Sequence, residues 1–183
     1  MSEQKKIADW LETAGKKSPL TPTFPESEKF QLGLRLILEE LFEAAESGPD
    51  SDVLLFLDEV IDSARELIQK VRSRNRTDGD LKEFRDACAD LRVVLGNIIH
   101  FAGTNQKFDE DFNAVMESNF SKFCSSEKQA EETINAYKNG KHPNKMGEKI
   151  DCYHEKVGNY WIVKRKGDDK VLKSIGFVEP NFN

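Results

Sequence analysis

The chain has 183 residues, 33% of them charged, with a formal net charge of −6. That length suits one domain with a real core and some appended structure. No block of Lys and Arg dominates any segment, which excludes nucleic acid as a main partner; an anionic ligand would need a metal ion or a local basic patch to bridge the charges.

The opening MSEQKKIADW lacks the apolar run of a signal peptide, and no segment approaches membrane-spanning length. The expectation is a soluble, cytoplasmic protein without a membrane partner. Cys88, Cys124 and Cys152 show neither CxxC pairing nor a disulfide framework, and Cys88 reads as core filling.

In chain order, Ile7, Ala8, Trp10, Leu11 and Ala14 predict a short amphipathic helix over residues 2–14. A connector with Pro19, Pro22 and Pro25 follows, where proline removes donors and favours extended backbone. A second helix is predicted from Ser27 or Glu28 to Glu46, stopped by SGPD. Val53, Leu57, Val60, Ile61, Ala64, Leu67, Ile68 and Val71 predict a third. NRTDGD is a turn, and EFRDACADLRVVLGNIIHFA over residues 83–102 is a fourth.

From Ala87 onward this fourth helix is apolar on nearly every side, so it belongs in the middle of a bundle. Two more helices are predicted, over residues 110–123 and within SSEKQAEETINAYKNG, the latter ended by Gly140. The tail turns to β-formers around GDD, predicting a hairpin over residues 160–175. The fold class is therefore all-α: a helical bundle over residues 1–140, with its core in 25–125, and a tail over 141–183 carrying a small β-hairpin.

Two acidic patterns stand out. Glu39, Glu40 and Glu43 cluster beside the apolar face of the second helix, which a solvated flank would also explain. Glu83, Asp86, Asp90 and Asn97 fall at i, i+3, i+7 and i+14, one polar stripe down the apolar helix. A carboxylate buried there would cost several kcal/mol unless its charge were offset. Pairing of Asp90 with Arg35 or Arg92 is one way to offset it, and a bound cation is another. Oxygen donors without Cys or His select Mg²⁺, Mn²⁺ or Ca²⁺. Iron is disfavoured: a di-iron bundle uses Glu-x-x-His, and His100 follows Asn97 at that spacing. His142 and His154 read as surface residues.

At these residues the chain resembles the all-α nucleoside triphosphate pyrophosphohydrolases, the MazG-like group that includes phosphoribosyl-ATP pyrophosphohydrolases and dimeric dUTPases. Its EExxE and ExxD-with-further-Asp motifs have counterparts in EELFE at 39–43 and EFRDACAD at 83–90. An SNxxK element matches Ser118, Asn119 and Lys122, and GDDKVLK is similar to a DGKVxK tail through Lys170 and Lys173. The resemblance covers about residues 25–125 plus the tail. One departure is the 39-residue separation (44–82) between the motifs, longer than the family's usual one. Within it, Glu59-x-x-Asp62 mimics ExxD on a strongly charged helix, whereas Glu83 and Asp86 lead into the apolar pattern.

The resemblance implies Mg²⁺-dependent hydrolysis of a nucleoside triphosphate to the monophosphate and pyrophosphate, with Mn²⁺ as a substitute. It implies Glu40, Glu43, Glu83 and Asp86 as main metal ligands, Glu39 at a second ion, and Asp90 as ligand or support. Glu40, before Glu39, is the implied general base. Asn97, Asn119, Lys122, Lys170 and Lys173 are the implied substrate contacts, and Tyr160 or Trp161 a stacking surface. A homodimer or dimer of dimers is expected, with the site near a subunit interface. Two alternatives stand beside this: a phosphoribosyl-ATP pyrophosphohydrolase, and a catalytically silent helical module binding a nucleotide or protein.

Overall fold

The computed structural model describes residues 2–182, as six α-helices and a two-stranded antiparallel hairpin. The helices are α1 (Glu3–Thr13), α2 (Ser27–Glu46), α3 (Asp50–Ser73), α4 (Leu81–Phe101), α5 (Phe108–Ser121) and α6 (Glu127–Lys138). The strands are β1 (Cys152–Val157) and β2 (Tyr160–Arg165). No described helix is long and apolar enough to cross a membrane. The chain divides into two compact units. One holds residues 21–92; the other holds residues 2–20 and 93–182, so the division falls within α4.

In the 21–92 unit, α2 and α3 run on the predicted apolar periodicity. Phe42 of α2 meets Phe56 of α3 edge-on, with ring centroids 6.5 Å apart. At the other end Phe24, Phe30 and Phe84 form an aromatic triangle with centroid separations of 5.0, 5.4 and 5.9 Å. Arginine and lysine in the last turn of α3, Lys70 and Arg72, oppose its negative dipole end. None of α2, α3 or α4 holds a fully buried residue. The apolar helix α4 thus departs from its predicted place inside a bundle: Val93 is 62% and Ile98 58% exposed. The chain by itself supplies too few neighbours to surround it. Cys88, predicted to fill the core, is exposed for the same reason.

The other unit carries the true core. Helix α1 starts where the Ser2 hydroxyl accepts from the Lys5 amide, and ends at Gly15, whose φ of +83° only glycine adopts cheaply. The Lys16 amide then reaches back to the Leu11 carbonyl at 2.8 Å, a Schellman closure. The same device ends α6, with Gly140 at φ +64° and the Lys141 amide 2.8 Å from the Ala136 carbonyl.

The hairpin sits earlier than predicted: Val157 pairs with Tyr160 around Gly158–Asn159, and Cys152 with Arg165. The GDD segment instead turns the chain so that Val171 bridges back to Lys164. Successive residues of β2 point to opposite faces, and both faces are covered. Val163 packs with Cys124, Ala130, Tyr137, Cys152 and Leu172, while its neighbour Ile162 packs with Ala14 and Phe123. Two 2.9 Å bonds between the main chains of Cys124 and Trp161 bind the end of α5 to the hairpin.

Candidate functional site

All six candidate carboxylates belong to the 21–92 unit, and all are exposed. On α2, Glu39 lies 3.6 Å from Arg35, one turn earlier. Helix α4 begins at Asp80, whose carboxylate accepts from the amides of Lys82 and Glu83 at 3.0 and 3.1 Å. Glu83 pairs with Arg76 at 2.8 Å and raises the pKa of that guanidinium. Glu83 and Asp86 line an open cleft of about 640 Å³ together with Asp80, Lys82, Arg85 and Ala89.

Among the described residues no three His, Cys, Asp or Glu side chains gather into a group able to hold an ion. The oxygen-only chemistry of the set fits a hard cation, but the arrangement within a single chain does not converge on one. Asp62, of the alternative ExxD on α3, is exposed and paired with Arg65 at 2.8 Å.

The other unit holds Asn97, Asn119, Lys122, Lys170 and Lys173. Asn97 is exposed on α4. Asn119 and Lys122 meet at the end of α5, where the ammonium donates to the Asn119 Oδ1 at 2.5 Å. That end is tied to the tail. Ser121 Oγ donates to the Ser118 carbonyl at 2.7 Å and accepts from the Val178 amide at 2.9 Å. Ser174 Oγ donates to the Ser121 carbonyl at 2.8 Å.

Helix α6 adds two further ties: Thr133 Oγ1 accepts from the Ile175 amide, and the Tyr137 hydroxyl donates to the Lys173 carbonyl. The tail is thereby strapped with Lys173 beside Glu179 (2.9 Å) and over the Phe177 ring (3.8 Å). Lys170 is exposed in the turn after β2, its carbonyl accepting from the Arg165 amide. Lys156, 4.6 Å from the Trp161 ring centroid, covers the face of that indole.

No family model, no curated protein and no solved structure matches the chain.

Two features of this unit escaped the sequence reading. His142 is not a surface residue: it is fully buried and stacks flat on Tyr137, with centroids 4.0 Å apart and planes 6° from parallel. Its Nδ1 accepts from the Asn144 amide, and its Nε2 makes no hydrogen bond of normal geometry. Burial lowers the imidazole pKa, opposed by the carbonyls of Ser174 and Lys173 close by. Burial likewise pushes the Tyr137 phenol up to about 12. Nothing in the motif NGKHPN marks this histidine for burial. The second feature is Trp10, whose indole nitrogen donates to the Asn119 carbonyl at 3.0 Å. The amphipathic pattern of α1 marks it as apolar-facing, but only the docking of α1 on α5 brings it there.

Proposed function

We propose that the chain is a nucleoside triphosphate pyrophosphohydrolase with an all-α bundle of the MazG-like type, adding water across the α–β phosphoanhydride to release the monophosphate and pyrophosphate. One observation carries the reading. The EELFE and EFRDACAD motifs stand in order on α2 and α4, followed by SNFSK at the end of α5 and a lysine-bearing tail tied to it.

Bound Mg²⁺ or Mn²⁺ would screen the triphosphate charge and stabilise charge developing on the phosphoryl oxygens. Glu39, Glu40, Glu43, Glu83, Asp86 and Asp90 are its proposed ligands. Because the six do not converge within one chain, the reading requires an assembly, and a homodimer or dimer of dimers is proposed. Its support is the apolar surface left open on α2, α3 and α4, including Leu54, Leu55 and Val94. Glu40 is the proposed acceptor of the proton from the attacking water. Asn119 and Lys122, with Asn97, Lys170 and Lys173, are proposed to hold the base, sugar or phosphates. Lysines act there as point charges.

A second reading draws on the Arg76–Glu83 ion pair, which already offsets one of the carboxylates. On it the protein is a nucleotide- or protein-binding helical module without turnover. A panel of ribo- and deoxynucleoside triphosphates and phosphoribosyl-ATP with Mg²⁺ separates the two. Pyrophosphate release supports hydrolysis between the α and β phosphates, and the substrate turned over distinguishes the pyrophosphohydrolases from one another. Tight binding of a nucleotide with no pyrophosphate from any of them rejects the enzyme in favour of the module.

A further inference from the structure

We infer that Trp10, on the N-terminal helix outside the segment that resembles the pyrophosphohydrolases, is a positioning residue that holds Asn119 and Lys122 for substrate binding. The inference rests on the reading under Proposed function that these two residues touch the nucleotide.

Three contacts converge on the indole. Its N–H donates to the Asn119 carbonyl at 3.0 Å. Lys122 Nζ lies 5.7 Å from its ring centroid, within the range of a cation–π attraction, while donating to Asn119 Oδ1 at 2.5 Å. The ring itself stacks on Phe123, with centroids 6.0 Å apart and planes 15° from parallel. The Asn119 carbonyl lies in the last turn of α5, where the Lys122 amide also donates to it at 3.3 Å, and the indole N–H supplies a second, shorter bond. The indole therefore fixes the main chain of one proposed ligand-binding residue and offers its face to the ammonium of the other. A lysine held in one geometry gives up less rotamer freedom when a phosphate arrives, so the benefit appears in substrate affinity.

Packing alone does not account for these contacts. Helix α1 is also held by the bond from Lys6 to the Asn113 side chain and by the fully enclosed Ala14. Phenylalanine at position 10 would keep the stack on Phe123. What it would remove is the donor to Asn119 and part of the attraction for Lys122, since indole is the strongest of the aromatic faces for a cation.

The test compares full-length wild type, Trp10→Phe, Lys122→Met and the double variant on the nucleotide that wild type turns over best with Mg²⁺. Trp10→Phe is expected to raise KM roughly five- to tenfold, the equivalent of one lost hydrogen bond. Its kcat should stay within about twofold. In the Lys122→Met background the same substitution should raise KM by clearly less than in wild type, because only the hold on Asn119 is then left to lose.

A KM like that of wild type in Trp10→Phe, or an equal rise in both backgrounds, overturns the inference while leaving the enzyme reading intact. A wild type that releases pyrophosphate from no nucleotide sinks both together. Should Trp10→Phe fail to fold, Trp161→Phe leaves Trp10 as the sole tryptophan of the two in the chain. Its emission must then shift on adding Lys122→Met, and an unmoved spectrum rejects the contact.

Discussion

Ser174 Oγ donates to the main-chain carbonyl of Ser121, 2.8 Å away and 53 residues earlier, and accepts from the Gly176 amide at 3.1 Å. Ser174 is 1% exposed, so neither bond has a solvent substitute. Ser174→Ala should cost about 1–3 kcal/mol in denaturant unfolding. Hydrogen exchange at the Gly176 and Val178 amides should quicken before the rest of the unit opens. Exchange as slow as in wild type would mean that the strap is held by something else.

His142 makes stability depend on pH in a definite direction. Its folded pKa lies below the ordinary 6.5 because burial disfavours the imidazolium. The unfolded chain therefore binds more protons in the window between the two values. Its contribution is fully present above about pH 6.5 and is lost as pH falls from there toward the folded value. His142→Phe keeps a ring against Tyr137 and removes the titration. The difference in melting temperature between wild type and this variant should shift against wild type between pH 7 and 5. A pH-independent difference would contradict a buried neutral His142.

Gly79 has no room for a side chain. A Cβ there would lie 2.4 Å from the Phe24 ring, which is held by Phe30 and Phe84. Gly79→Ala should destabilise by about 1–3 kcal/mol, the usual cost of overpacking. Phe24→Ala in the same chain should remove most of that added penalty, which calorimetry on the four variants of the cycle would register.

The proposed metal assembly has its own signature. Mg²⁺ at a hundred times its Kd should stabilise the fold by about 2.7 kcal/mol, seen as a rise in Tm. Asp86→Asn should abolish turnover and that rise, whereas Glu59→Gln should leave both nearly intact. The opposite pattern would move the site to α3.

The open apolar surface predicts association. Leu54 is 65% and Leu55 66% exposed, far from what a helix of this length leaves open alone in water. Sedimentation at micromolar concentration should give at least twice the chain mass of 20.9 kDa. Leu55→Glu should lower the assembled fraction and, on the proposed function, the Mg²⁺-dependent turnover with it. A wild type that sediments as one chain would remove the basis for a shared site.

Local chemistry made the helices legible. The SGPD stop after α2, and Gly15 and Gly140 past α1 and α6, act through backbone geometry and nearby hydrogen bonds, which a linear sequence displays. The hairpin was legible in kind and misplaced in register. VGNY and KGDDK both read as glycine turns between β-formers; the strands pair around the first, and Trp161 of β2 also bridges to Cys124, in the connection between α5 and α6.

Burial was the part that local pattern could not supply. Cys88 and His142 exchanged their expected places: the cysteine of an apolar helix lies exposed, and the histidine of a polar loop lies sealed against Tyr137. The same holds for the candidate site. The order of carboxylates, Asn119 and Lys122 is written in the chain, because motif spacing is a property of sequence. The meeting of Trp10 with Asn119, and the failure of the six carboxylates to converge within one chain, depend on which helix faces lie against each other. Packing of elements far apart in the chain decided that, and no run of neighbouring residues encodes it.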